Sequence, residues 1–194
     1  MDCHSGKVSG GAKMTAIGVV ETNSIPLGVQ AGDAMLKAAQ VTLCSAQTAC
    51  PGKYFVVVSG EVAAIRAAVE AGVEGAGTSL IDSLVIPNVD NQVVVAMMGA
   101  SAVGAAEALG LVETFSLASS ISAADTAVKT AQVELIEVRL GRGMGGKSFL
   151  IFTGQVSSVE AALKAIAASE ESKGLIASSV VIPSPHMDMV KALL

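Results

Sequence analysis

Tryptophan is absent from this chain, and aromatic residues make up only 3% of it, one Tyr and four Phe. Large aromatic anchors therefore cannot organise its interior. The hydrophobic content is nevertheless 52%, mostly Ala and Val, alongside 20 Gly. A chain of this length buries a sizeable core, and here that core must be built from small side chains packed closely. Charge is also scarce, at 15%, with 12 basic and 17 acidic residues and a net charge of −5. No Lys/Arg cluster exists, so nucleic-acid binding lacks its main electrostatic contribution. No run is long enough to span a membrane: the uncharged stretch Asn91–Ala106 is 16 residues, short of the roughly 20 a helix needs. The mean hydropathy of +0.63 thus points to a soluble subunit that hides apolar surface in an oligomer.

Cysteine is sparse too. Cys3, Cys44 and Cys50 are an odd set in a chain that is no small disulfide scaffold, which fits a reducing cytoplasm. Met1–Lys13 is polar and Gly-rich with no apolar centre. It is no signal peptide and reads as a flexible tail or tag over residues 1–13, with Met14 as the natural start. Cys3 in that tail reads as inert.

What the chain does have is an internal repeat. Ile17–Thr22 returns as Leu109–Thr114, and at that offset of 92 positions 17–43 match 109–135 at 12 of 27 residues. Glu21/Glu113, Asp33/Asp125 and Lys37/Lys129 are among the matches. The offset becomes 94 at Gly52-Lys53 and Gly146-Lys147, then 96 at Val85-Ile86-Pro87 and Val181-Ile182-Pro183. Two copies of one domain follow, over 14–99 and 105–194, with the boundary in the Gly/Ala/Ser stretch Gly99–Gly104.

Each copy carries the same local signals. Ala16–Glu21 is a short apolar run, a buried strand. Ser24 is placed to cap a helix with Pro26 in its first turn, and Ala31, Ala34, Met35, Ala38 and Ala39 give that helix an apolar stripe. Val41–Ala46 and Tyr54–Ser59 read as strands around a Cys50–Lys53 turn. Glu61–Ala71 reads as a helix ending at Gly72, Ser79–Ile86 as a strand stopped by Pro87, and a short helix closes the copy. In the second copy Gln155–Ser169 and Pro185–Leu194 are the corresponding helices. The fold class is α+β, two tandem ferredoxin-like βαββαβ units.

Catalytic patterns are missing. The only histidines are His4 and His186, and no Ser or Cys has a base placed near it in sequence. Glu21 and Glu113 read as polar strand-end residues hydrogen-bonded within each repeat rather than as paired catalytic carboxylates. Gly141–Gly146 imitates a phosphate loop, but Ser148–Thr153 after it reads as a strand, whereas a dinucleotide fingerprint opens a helix. The chain is therefore expected not to be an enzyme.

Residues 16–22 (A-I-G-V-V-E-T), 31–39 (A-G-D-A-M-L-K-A-A) and 181–186 (V-I-P-S-P-H) together resemble the bacterial microcompartment shell-protein family. The duplication is similar to that family's tandem BMC-domain class. The resemblance implies a pseudohexameric homotrimer in a compartment shell, with other shell proteins at its lateral edges. Asn88 and Ser184 stand where single-domain members usually carry Arg, and Asp90 stands where the second copy has His186. Within the class, T-A-C-P-G-K at 48–53 resembles the pore loop of the type found in propanediol-utilisation compartments, which implies an iron–sulfur cluster at the trimer centre.

By spacing alone, Cys50 is an ordinary thiol, since a cluster typically takes four ligands. Three-fold symmetry would gather three copies of it. With the resemblance, Cys50 is the expected ligand of a [4Fe–4S] cluster, one per trimer, that carries electrons across the shell or passes through it, with an encapsulated redox enzyme as an expected partner. The pore loops are then Thr48, Ala49, Pro51 and Gly52, facing Gly143, Met144, Gly145 and Gly146. Lys37 and Lys129 would sit at the trimer–trimer edge, where family lysines bond neighbouring backbone carbonyls. Cys44, among Val41 and Leu43, reads as core packing. Two rivals differ in class: a redox-silent pore for small metabolites, and a soluble trimeric enzyme or regulator.

Overall fold

The computed structural model describes residues 16–99, 106–141, 143–169 and 174–193. The expected tail 1–13 with Cys3 and His4, Met14, the linker residues 100–105, Arg142 and Leu194 lie outside the described residues.

The first copy runs β1 (Ala16–Thr22), α1 (Ile25–Ala38), β2 (Thr42–Ala49), β3 (Lys53–Gly60), α2 (Val62–Ala76), β4 (Leu80–Pro87) and α3 (Asn91–Met97). The second runs β5 (Ala108–Thr114), α4 (Leu117–Thr130), β6 (Val133–Arg139), β7 (Ser148–Gly154), α5 (Val156–Ala168), β8 (Ile176–Pro183) and α6 (Met187–Leu193). Each copy forms a four-stranded sheet, ordered β2-β3-β1-β4 and β6-β7-β5-β8, antiparallel throughout. Even the irregularities repeat. A register shift falls between Leu43 and Ser45 and again between Leu135 and Glu137. A second falls at Glu21/Thr22 and again at Glu113/Thr114.

Alternation along β1 and β3 sends side chains to two faces. Ala16, Val20, Val56 and Val58 pack under α1 and α2 with Ala31, Met35, Ile65 and Ala68. Ile17, Val19, Phe55 and Val57 face the other way. They join Val89, Val93 and Ala96 in a core that continues without a break into Leu117, Ile121, Ala124, Leu135 and Phe152 of the second copy. The two copies therefore share a core rather than sitting as beads on a string.

Several boundaries differ from the sequence reading. Gly72 does not end α2; it is buried mid-helix, where a Cβ would come within 2.6 Å of Met35 Cγ. This glycine serves the close α1–α2 approach, and Gly77 is the actual C-cap, donating its N–H to the carbonyls of Glu74 and Val73. β2 runs on to Ala49 rather than stopping at Ala46. Ser24 does occupy the N-cap position of α1, but its side chain makes no capping bond. Its counterpart Ser116 accepts the Ser119 N–H at 3.0 Å. α6 begins at Met187, after Pro185 rather than at it. Among the described residues, no helix is long and apolar enough to cross a membrane.

Candidate functional site: the hairpin loops and the bond between the copies

The β2–β3 hairpin tip, residues 48–53, meets the β6–β7 connection, residues 141–147. The Cys50 N–H donates to the Gly141 carbonyl at 2.9 Å. Gly141 has φ +64°, and a Cβ on it would lie 2.6 Å from Ala49 Cβ, so the roots of the two loops touch. Farther out the loops open. Thr48, Cys50, Pro51, Gly52, Gly143 and Gly145 are exposed, Met144 is half-buried, and Ala49 and Gly146 are buried. The Cys50–Pro51 peptide is cis. A cavity of about 470 Å³ lies beside the tip, lined by Ile25, Gln47, Thr48, Ala49, Cys50 and Gly52 among others. One thiol, Cys50, thus faces open space at a loop tip. Cys44 lies back along β2, half-buried against the shared core, with its Sγ 3.2 Å from Ser59 Oγ.

Under the loops sits a charged cluster. Lys53 Nζ donates to Glu21 Oε1 at 2.7 Å, to the Gly146 carbonyl at 2.8 Å and to the Phe115 carbonyl at 3.4 Å. Glu21 Oε2 accepts the Leu117 N–H at 2.8 Å, at the start of α4. A carboxylate is favoured there by the unpaired amides and dipole of a helix N-terminus. The Glu21 side chain is 0% exposed and that of Lys53 14%. Burial away from water pushes the Glu21 carboxyl above its ordinary value, against the lowering pull of Lys53 and the Leu117 amide, while Asp82 adds to the rise. Glu21 was expected to bond within its repeat. It does so to Lys53, but its second oxygen reaches into the other copy.

Three more bonds cross the same seam. Ser116 Oγ donates to Asp82, the Asp90 N–H donates to Asp125 at 2.9 Å, and the Leu135 N–H donates to Gln92 Oε1 at 3.1 Å. The sequence reading missed these contacts. The repeated Glu21/Glu113 and Lys53/Lys147 pairs were a signal for the Glu21–Lys53 cluster alone. Lys37 is exposed and pairs with Asp33 at 2.6 Å, one helical turn away, and Lys129 pairs with Asp125 in the same way. Both ammonium groups stand on helix surfaces, with Lys37 the more open.

A larger cavity of about 730 Å³ opens between the first sheet, α3 and β6, and its lining includes Phe55, Val57, Met97 and Arg139. Arg139 is paired with Glu137 at 2.6 Å and lies 4.9 Å from the centre of the Phe149 ring.

Two βαββαβ units with matching irregularities and a shared seam describe a tandem architecture, and residues 16–89 and 108–185 each match the BMC domain family. The chain belongs to the bacterial microcompartment shell proteins. It is 44% identical to the bacterial microcompartment shell protein PduT of Citrobacter freundii, over 90% of this chain and 95% of that one. It is 32% identical to the carboxysome assembly protein CcmO of a Synechococcus strain, over 92% of this chain and 68% of that one. The single-domain shell protein PduA of C. freundii aligns with 45% of this chain at 42% identity, covering 91% of its own length, as one copy of a duplicated unit should. The crystal structure of a microcompartment protein from Desulfitobacterium hafniense DCB superposes with a TM-score of 0.82 at 49% identity, over 92% of this chain and 99% of that one. The tandem, PduT-like character expected from the motifs is therefore shown, and the chain is a structural component of a microcompartment shell.

Proposed function

We propose that this subunit forms a homotrimeric shell tile whose central loops carry electrons through a [4Fe–4S] cluster, one per trimer, held by Cys50 from each chain. The observation that carries this reading is the placement of Cys50. It is an exposed thiol at a hairpin tip, its backbone N–H fixed by Gly141, beside an open cavity of about 470 Å³. Among the described residues no three His, Cys, Asp or Glu of one chain gather to hold a metal. One soft ligand per chain fits such a cluster only when symmetry multiplies it, and rings are the usual product of head-to-tail contacts that close. The cluster supplies one-electron redox chemistry when bound. The chain's part is to present the thiolates and to leave room around them with Gly52 and Gly143. An encapsulated redox enzyme is the natural electron partner.

Lys37 and Lys129 are assigned to lateral contacts with neighbouring shell proteins, where an ammonium freed from its Asp bonds a neighbouring carbonyl. The subunit so read is structural and conducting rather than catalytic.

Anaerobically purified or reconstituted protein should show absorbance near 400 nm and about four irons per trimer, the content of one cluster. Cys50→Ala should lose both and remain an assembled trimer, whereas Cys44→Ala should keep both. Iron at background level in the reconstituted wild type, or undiminished iron in Cys50→Ala, sinks the cluster assignment.

A further inference from the structure

The bond that joins the two copies has an unfilled twin on the same chain. Glu113 is the repeat partner of Glu21, Lys147 of Lys53, and Ile25 of Leu117. In the first copy the Glu21–Lys53 pair holds the α4 N-terminus through the Leu117 N–H. In the second copy Lys147 Nζ lies 3.0 Å from Glu113 Oε2, and Ser178 Oγ lies 3.5 Å from the same oxygen. No described helix start sits on that carboxylate. Its side chain is 34% exposed where that of Glu21 is 0%.

The complementary half is also open. At the start of α1, Ser24 makes no side-chain cap and Ile25 is 39% exposed, whereas Leu117 is fully buried. The apolar surfaces around the two halves agree. Val29, Leu36 and Leu43 are exposed on α1 and β2, and Val180, Ile182, Met187 and Met189 are exposed on β8 and α6. Their repeat partners on α4, β6, β4 and α3 include Ile121, Leu135, Ile86 and Val93, all buried along the seam.

We infer that Glu113, held by Lys147 and Ser178, takes the Ile25 N–H of a second copy of this chain, so that the α1 N-terminus of each chain docks on the β8–α6 edge of the next. This site is incomplete in one chain and requires the partner's helix. The inference rests on the ring-forming reading above and names the contact that closes the ring. By the same correspondence, Lys147 reaches the carbonyls of Asn23 and Gly52 in the next copy, as Lys53 reaches those of Phe115 and Gly146 here.

The test uses the full chain in a dilution series followed by mass photometry, in a fixed sub-denaturing urea concentration that brings wild-type dissociation into range. Glu113→Ala removes the acceptor. Ile25→Pro removes the donor, and proline is well tolerated in the first helical turn of the free chain. Ile25→Ala is the control that keeps the N–H. A hydrogen bond to a buried charge corresponds to about tenfold or more in affinity. Glu113→Ala should therefore raise the half-dissociation concentration at least about tenfold, and Ile25→Pro should do so relative to Ile25→Ala. The double variant Glu113→Ala, Ile25→Pro should be little worse than the worse single one, because both remove one bond. A wild type that assembles while these variants dissociate like their controls overturns the latch and leaves the ring. Fully additive losses also overturn it, because the two groups then do not meet. A wild-type monomer at all concentrations overturns the ring reading itself, and the latch with it.

Discussion

Helices α1 and α4 occupy the same place in two copies of one fold, yet one is open and the other enclosed. Ile121 is 0% exposed on α4, and its repeat partner Val29 is 51% exposed on α1. Leu117 through Asp125 are all buried on α4, whereas the buried residues of α1 are only Gly28, Ala31, Gly32 and Met35, those facing its own sheet and α2. Both helices carry enough apolar side chains to be buried on two sides. Only α4 has its second neighbour inside the chain. Burial of the second face follows the neighbour: α4 has one in the other copy, and α1 has none among the described residues of this chain.

The largest effect that would break this comparison is at the two glutamates. Glu21→Ala leaves Lys53 nearly buried without its counter-ion and the Leu117 N–H without an acceptor. Removing one partner of a buried pair typically costs about 3–5 kcal/mol, so chemical denaturation should show a loss of that order. Glu113→Ala in the dissociated chain should cost less than about 1 kcal/mol, as for other exposed pairs. Equal losses would mean that the two copies are not in different environments. Next in size are the helix faces. Ile121→Ala should cost about 3 kcal/mol, because it opens a cavity in the shared core. Val29→Ala should change chain stability by less than about 0.5 kcal/mol while weakening assembly. A large loss of monomer stability at Val29 would place a hidden intrachain neighbour against α1.

The smallest effect sharpens the comparison through pH. The folded-state carboxyl of Glu21 titrates above its ordinary value of 4.5, chiefly because it is desolvated. For such a group the folded state binds the proton more tightly than the unfolded chain does. Its stabilising contribution is full below the unfolded value and is lost as pH rises through the folded one. Acidification from neutrality toward pH ~5 should therefore favour folding at this site, and Glu21→Gln should remove that part of the slope. Parallel stability–pH curves would mean that Lys53 and the Leu117 amide cancel the desolvation, and a wild type that loses stability on acidification relative to Glu21→Gln would show that the ion pair governs Glu21.

Much of this architecture was legible in the residues. The repeat offset, the strand pattern of β1, β3 and β4, and the motif-level resemblance all led to two ferredoxin-like units, because period-two apolar runs and Pro87 or Pro183 stops are local signals. Gly72 misled because a glycine inside a helix looks the same whether it caps the helix or makes room for Met35. Ser24 misled for a different reason: capping depends on how the loop before α1 is held, and that loop borders the open edge. The turn at Cys50–Lys53 was legible as a break between two strand runs, and Cys50 is exposed on it. The seam, however, was hidden, because Glu21 and Glu113 have the same local sequence and differ only in whether a helix start lies across from them.

The covalent link between the copies gives one kind of contact two concentration laws. The seam inside the chain forms between segments that cannot diffuse apart, and tethered partners commonly face each other at effective concentrations on the order of millimolar. Dilution cannot loosen it. The matching contact proposed between chains would have no such protection and would weaken with every dilution. A ring of six such domains built from three chains, as proposed, would assemble from three bodies rather than six, with half of its joints complete before the first encounter in solution.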